Sequence, residues 1–233
     1  MTRTNIDFPR LKFCGFTHPE DLEDALRSHI DAIGLNFYPN SPRCLSTAQA
    51  TDLARRAKGK ALRVGVFVDE SPEAIGRLVA DDVIDVVQLH GDEDLEYLHR
   101  FRSQSELALI PILRAVSWRG TEYPQDAERC REWASQAGIL GFLVDAHDPI
   151  QRGGTGKRAR WDLLTPRPEA FLGLPFLLAG GITSENAEEA IRLVHPDGLD
   201  LASGIESSPG RKDPSKMTAV ISAARKAWGE SPV

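Results

Sequence analysis

The sequence predicts an α/β fold, a single-domain (β/α)8 barrel over residues 1–233, and three observations carry that expectation. Short apolar runs alternate with amphipathic segments from one end of the chain to the other. Eight candidate strands end near Cys14, Phe37, Val68, His90, Ala115, Asp145, Ala179 and Ala202, and successive ends lie 22 to 34 residues apart, the length of one strand–helix unit. Several runs close on a polar or small residue, often beside glycine: Cys14-Gly15, His90-Gly91, Asp145, Gly180-Gly181 and Ser203-Gly204. In a closed barrel such ends face one pocket at the C-terminal rim, where this architecture places its chemistry. A doubly wound open sheet shares the alternation but usually has five or six strands, so eight units favour the barrel.

The elements follow in order. Lys12-Phe13-Cys14-Gly15 ends the first strand. Thr17-His18-Pro19-Glu20 then offers a threonine N-cap, with proline and acid in the first turn, ahead of Leu22, Ala25 and Leu26. The second strand runs into a proline-stiffened loop, Tyr38-Pro39-Asn40-Ser41-Pro42-Arg43. Residues 64–68 (Val-Gly-Val-Phe-Val) and 85–89 (Asp-Val-Val-Gln-Leu) are near-continuous apolar runs, as strands buried on both faces require. Between them, Ser71-Pro72-Glu73 starts a helix that turns Ile75, Leu78 and Val79 inward. The fifth strand ends near Ala115, and residues from about 118 to 138 read as a lengthened surface helix. Gly141-Phe142-Leu143-Val144 leads to Asp145, and a basic, glycine-rich stretch from Arg152 to Lys157 follows. Ser184-Glu185-Asn186 precedes Ala187, Ala190, Ile191 and Val194 after the seventh strand, and the eighth closes on Ala202-Ser203-Gly204. No linker or shift of composition divides the chain.

Composition narrows the function. The chain of 233 residues is long enough for one sizeable core, with 41% hydrophobic and 27% charged residues. A net charge of −6 and a pI near 5.6 argue against a nucleic-acid surface, which needs a basic face, but allow a small anionic ligand in a locally positive pocket. Three cysteines, an odd count without C-x-x-C spacing, suit a reducing compartment and argue against a disulfide framework or a zinc knuckle. The first thirteen residues lack the apolar core of a signal peptide. The apolar stretch from Phe171 to Ile182 is broken by Pro175 and two glycines and falls short of the ~20 residues that span a bilayer. A soluble, cytoplasmic protein with no membrane partner is the expectation.

Four groups of residues are candidates for chemistry. Cys14 stands just ahead of an expected helix start, and a helix N-terminus stabilises a thiolate, making the thiol a usable base or nucleophile; the alternative is a small buried hydrophobe. Asp145 stands at the mouth of the sixth strand, where partial burial would raise its pKa and let it act as a general acid, and the alternative is a cap or a loop salt bridge. Together with His147 it suggests a metal site, but no other strand end supplies a second carboxylate–histidine pair, so no metal is expected. The 152–157 stretch departs from a P-loop, with Gln151 and Arg158 where glycine and Ser or Thr are needed. It reads as a basic loop that closes over an anion, or as plain surface. Gly180-Gly181 and Ser203-Gly204 end the last two strands, the recurrent phosphate position of barrels, where glycine lets backbone N–H groups approach closely. Arg43 suits a bidentate carboxylate clamp, with solvated surface as the alternative.

Together these motifs resemble the phosphoribosylanthranilate isomerase family. The resemblance rests on K-x-C-G (12–15), F-Y-P-x-S-P-R (37–43), V-G-V-F-V (64–68), V-Q-L-H-G (87–91) and G-G-T-G-K (153–157). It continues with A-G-G-I (179–182), Glu185-Asn186 and S-G-I-E-x-x-P-G-x-K-D (203–213), in the family's order over nearly the whole chain. Three features depart: Leu35-Asn36 in strand two, Ala202 where serine is common, and the longer 118–138 segment. The resemblance implies a TIM barrel that rearranges the N-glycoside of anthranilate with 5-phosphoribose to the 1-amino-1-deoxyribulose phosphate, an Amadori reaction needing one acid, one base and no cofactor. It implies Cys14 as base, Asp145 as acid and Arg43 on the anthranilate carboxylate. The backbones at Gly180, Gly181, Ser203 and Gly204 would hold the phosphate, with Gln88, His90 and Gly154 also among the substrate-binding residues. The expected partner is a small phosphorylated substrate, and the expected state a monomer or homodimer. Activity on the analogous histidine-pathway aminoaldose stays open, with Asn36 as the place where it would show.

Rival readings differ in identifiable residues. A metal-dependent pentose-phosphate epimerase needs His and Asp ligands on several strands. An indole-glycerol-phosphate synthase needs a catalytic lysine with glutamates, and not cysteine at position 14. A non-catalytic phosphometabolite-binding barrel would keep the glycine pairs and lose the acid or base.

Overall fold

The structure is a computed structural model that describes residues 6–121, 123–145 and 160–230. Eight parallel strands close into a barrel in sequence order: β1 (Leu11–Cys14), β2 (Ala32–Asn36), β3 (Leu62–Phe67), β4 (Val86–Leu89), β5 (Ile112–Ser117), β6 (Ile139–Asp145), β7 (Phe176–Ala179) and β8 (Gly198–Leu201). The ring is sealed where β8 returns to β1, with Leu199 opposite Leu11 and Asp200 opposite Lys12. The expected strand ends are met within one residue everywhere except in β5, which runs two residues past Ala115.

Helices α1 (Pro19–Arg27), α2 (Thr47–Ala57), α3 (Pro72–Ala80), α4 (Leu95–Arg102) and α5 (Pro124–Ala134) follow the first five strands, and α6 (Ala187–Val194) and α7 (Pro214–Ala227) follow the last two. Their inward residues are those the 3.6-residue period selects: Leu22, Ala25 and Leu26 in α1, Ile75, Leu78 and Val79 in α3, and Ala187, Ala190, Ile191 and Val194 in α6. Ser71 caps α3 as expected, its side chain accepting from the Ala74 N–H. Thr17 does not cap α1. His18 holds that position without a side-chain bond, because the Thr17 hydroxyl donates to the Gly210 carbonyl at 2.6 Å, a tie between the first and last loops. The 118–138 segment contributes the eleven-residue α5, which buries Cys130 and Trp133.

The described part of the sixth unit, residues 160–175, has no α-helix. Among the described residues it carries only two 3-10 turns, Trp161–Leu164 and Glu169–Phe171. Aromatic packing covers the sheet here: Phe171 lies 5.0 Å from Trp118, 5.8 Å from Phe142 and 5.5 Å from Phe176, centroid to centroid. The Trp118 indole N–H donates to the Leu163 carbonyl at 3.0 Å, fixing the first turn to the barrel wall.

Strand alternation sorts the side chains into two cores. Outward residues such as Phe13, Ile33, Phe67, Val87, Phe142 and Leu199 pack under the helices. The lumen is filled by Ala32, Val64, Val86, Leu113, Leu143 and Leu177, with Ile6, Phe8, Leu62 and Leu140 packed against them. Gly141 makes room for the Phe8 ring. Above this plug the inward positions turn polar, which sets the site at the C-terminal rim.

Candidate active site

A cavity of about 240 Å3 opens above the lumen plug, and most of the singled-out residues meet on its wall. Cys14 enters from β1, Gln88 and His90 from β4 and its end, and Asp145 from β6. Arg43 comes from the loop after β2, while Gly180-Gly181 and Ser203-Gly204 come from the loops after β7 and β8. Asn36 and Ala202 line it too. A neighbouring cavity of about 450 Å3 lies beyond His90 against Ser117, Trp118 and Arg119, but contains neither Cys14, Asp145 nor Arg43. Gly154, the 153–157 loop and His147 lie outside the described residues. Among the described residues no group of three or more His, Cys, Asp or Glu could hold a metal ion, and no helix is long and apolar enough to cross a membrane.

Glycines give the three principal side chains their room. Gly34 sits opposite Cys14 in the β1–β2 register, and a Cβ there would lie 2.5 Å from Sγ. A Cβ on Gly180, whose φ is +87°, would collide with the Asp145 carboxylate. One on Gly15 would collide with the Arg43 stem. Gly204 answers to packing as well: a Cβ there would strike the Ile182 carbonyl oxygen, so its lack of a side chain lets the last two loops touch. Asn186 pins the β7 loop from both sides, donating through Nδ2 to the Gly181 carbonyl at 2.9 Å and accepting the Thr183 N–H at 2.8 Å.

The electrostatics of Cys14 differ from the sequence expectation. Helix α1 starts five residues later, at Pro19, and burial pushes the thiol above the ordinary cysteine range. Lys12 pulls the other way, Asp200 adds to the rise, and Lys212 again opposes it. Burial is the largest influence, so the thiol is the resting form at neutral pH.

Arg43 is held, and by a partner that sequence reasoning did not find. Its Nε donates to Glu206 Oε1 at 2.8 Å and its Nη2 to Oε2 at 2.5 Å. Glu206 lies in β9 (Glu206–Ser208), which pairs with β10 (Arg211–Lys212) in a small hairpin before α7. From β10, Lys212 Nζ donates to Glu206 Oε1 at 2.7 Å and to the Cys14 carbonyl at 2.6 Å. Burial opposes the Glu206 carboxylate, but hydrogen bonds from Arg43 and Lys212 outweigh it and hold its pKa below the ordinary range. The bidentate edge of Arg43 is thus spent on Glu206, and the Nη1 end of the fork is what remains for a ligand.

Two further charged residues were missed. Lys12 points into the lumen beneath Cys14, has no exposed surface, and donates to Asp200 Oδ1 at 2.6 Å. Their signal was a charge in the middle of a four-residue apolar strand, which must find a partner inside the protein. Gln88 and His90 form a pair across 3.0 Å, Nε2 to Nδ1, and Gln88 Oε1 is buried without a hydrogen-bond partner. The His90 ring is open to the cavity yet crowded by protein. That desolvation keeps its pKa below the ordinary histidine value, with Asp200 working in the opposite direction.

Known proteins resemble this chain in sequence and fold over nearly its whole length. The family model described as N-(5'phosphoribosyl)anthranilate (PRA) isomerase matches residues 11–223. An N-(5'-phosphoribosyl)anthranilate isomerase from Syntrophus aciditrophicus is 39% identical over 221 residues, covering 94% of this chain and 88% of its own. The crystal structure of phosphoribosyl anthranilate isomerase from Thermotoga maritima superposes with a TM-score of 0.79 at 32% identity, over 94% of this chain and all of the other. A phosphoribosyl anthranilate isomerase in complex with reduced 1-(o-carboxyphenylamino)-1-deoxyribulose 5-phosphate gives a TM-score of 0.76 at 30% identity, over 94% of this chain and 100% of that one.

Proposed function

The chain belongs to the N-(5'-phosphoribosyl)anthranilate isomerase family and is an isomerase of tryptophan biosynthesis, and we propose that Cys14 and Asp145 are the base and the acid of its Amadori rearrangement. The observation that carries this reading is their shared cavity: a thiol on β1 and a carboxylate on β6 reach one space above the apolar plug. The same wall carries Arg43 and the two glycine pairs.

The substrate offers three handles. Its phosphate takes the backbone N–H groups of the Gly180-Gly181 and Ser203-Gly204 turns, where close approach is sterically open at Gly181. Its anthranilate carboxylate takes the free end of the Arg43 fork. The ribose then lies between Cys14 and Asp145. Asp145 gives its proton to the furanose oxygen, the C1'–O bond breaks, and the nitrogen lone pair forms a C=N bond. Cys14, its thiol proton first released to solvent, acts as thiolate and removes the C2' proton; the C–H electrons become the C1'=C2' bond of an enolamine and the C=N pair returns to nitrogen. The Asp145 carboxylate takes the O2' proton, the O–H electrons become the C2'=O bond, and the C1'=C2' pair takes the proton back from Cys14 at C1', giving the ketone. Both residues end as they began, and substrate and product are isomers.

Turnover of phosphoribosylanthranilate is followed by the difference in fluorescence between substrate and product, without added metal. Cys14→Ser and Asp145→Asn should each lower kcat by ~10²–10⁴-fold and leave KM nearly unchanged, because each removes a proton transfer and not a binding contact. A Cys14→Ser enzyme retaining over half its activity would remove Cys14 from the mechanism. A loss confined to KM would make Asp145 a binding residue.

A further inference from the structure

We propose that Lys12 is the counter-ion of the Cys14 thiolate, an ammonium shared in the barrel lumen between Asp200 and the sulfur. The proposal rests on the reading of Cys14 as the base. Lys12 and Cys14 occupy alternate positions of β1 and so share its lumen face. Lys12 has no exposed surface. Its ammonium donates to Asp200 Oδ1 at 2.6 Å, and its charge opposes the rise that burial imposes on the Cys14 thiol.

An ammonium at this depth is costly to keep, since the lumen beside it is lined by Ala32, Val64, Val86 and Leu113. A pair serving stability alone could be replaced there by hydrocarbon. Its placement suggests another use, because Asp200 lines the cavity and Lys12 joins it to the base. While Cys14 is a thiol, Lys12 belongs to Asp200. When Cys14 loses its proton, the same ammonium stands between two anions and compensates the new one without any other group moving.

The other charges facing Cys14 do not fill this role. Lys212, from β10, is committed to Glu206 and to the Cys14 carbonyl. Arg43, from the loop after β2, is bound edge-on by Glu206. His90 from the end of β4 and Asp145 from β6 line the same cavity, and β2 places Gly34 beside the sulfur and the uncharged Asn36 on the cavity wall.

The test is the pH titration of Cys14 in the ligand-free enzyme, read by thiolate absorbance near 240 nm and by the rate of iodoacetamide alkylation. Cys14→Ser supplies the blank for Cys44 and Cys130, the latter pushed up to about 12 by burial. Lys12→Met should move the midpoint to higher pH by about one unit or more, about tenfold less thiolate at a given pH. Asp200→Asn should move it to lower pH by releasing Lys12 to the sulfur. Because Lys12→Met leaves Asp200 uncompensated and is at risk of misfolding, Lys12→Met/Asp200→Asn, which buries no net charge, is compared with Asp200→Asn. The double variant should titrate at the higher pH of the two. Wild-type midpoints in the lysine variants, or an upward shift in Asp200→Asn, would overturn the proposal. The titration involves no turnover, so it separates from the base assignment: an active Cys14→Ser enzyme refutes the base while a shifted midpoint still establishes the counter-ion.

Discussion

Arg43 shows how much one side chain depends on its seat. Its stem lies over Gly15, its Nε edge is locked on Glu206, and only the end of the guanidinium is left for a substrate carboxylate. Arg43→Ala should therefore raise KM more than it lowers kcat, and an analogue lacking the carboxylate should be handled alike by wild type and variant. Arg43→Lys should not restore KM, because a point charge cannot hold Glu206 along one edge and a second carboxylate at another. Steady-state kinetics on both substrates decide this; a strong preference for the carboxylate in Arg43→Ala would assign the contact elsewhere. At this scale the sequence showed what stands at strand ends. Cys14, Asp145 and the glycine pairs follow apolar runs and so announce the rim. Lys12 and Asp200 lie within strands, and their pairing depends on a β1–β8 register between residues 188 apart that no local pattern contains. The expected activation of Cys14 by a helix end failed because the thiol's surroundings, not its place in the chain, set its proton affinity.

Among the elements, the β9–β10 hairpin does what its motif alone did not reveal. It carries Glu206 and Lys212 from the end of the barrel back to Arg43 and to the Cys14 carbonyl, joining the first and last units of the chain. Because the Glu206 carboxyl is held below its ordinary pKa, the stability it contributes is fully present above the unfolded value, ~4.3, and is lost as pH falls through the lower folded one. The difference in melting temperature between wild type and Glu206→Gln should be constant near neutrality and shrink only in that acid range. A difference that grows on acidification would show that Glu206 is not a stabilised carboxylate. The strands and the inward faces of α1, α3 and α6 were legible because periodicity alone defines them. The described 160–175 part of the sixth unit was not, because Phe171 covers the sheet there by aromatic packing with Trp118, Phe142 and Phe176, which leaves no helical period.

The whole barrel is divided by function along its axis. Below the site the lumen is hydrocarbon apart from the buried Lys12, and around the N-terminal rim Arg63 ties Asp82 to Asp85 between strands. Near the C-terminal rim, Glu93 gathers the Asp69 and Gly91 N–H groups and the buried Arg114 guanidinium into one node, holding the loops after β3 and β4 beside His90. Neither side chain of that pair is more than 1% exposed, so Glu93→Ala should cost about 3–5 kcal/mol in denaturant unfolding by leaving Arg114 uncompensated. A loss of under about 1 kcal/mol, the scale of an exposed pair, would refute that node. Above it, one cavity brings together residues from nearly every strand end, and acid–base cooperation across that cavity is the central claim. It is tested most directly by the primary deuterium isotope effect on kcat with substrate labelled at C2'. Cys14→Ser should express the effect in full, because proton removal from C2' becomes limiting. Asp145→Asn should suppress it toward unity, because ring opening becomes limiting instead. A full effect in Asp145→Asn together with its loss in Cys14→Ser would contradict the assignment of base and acid.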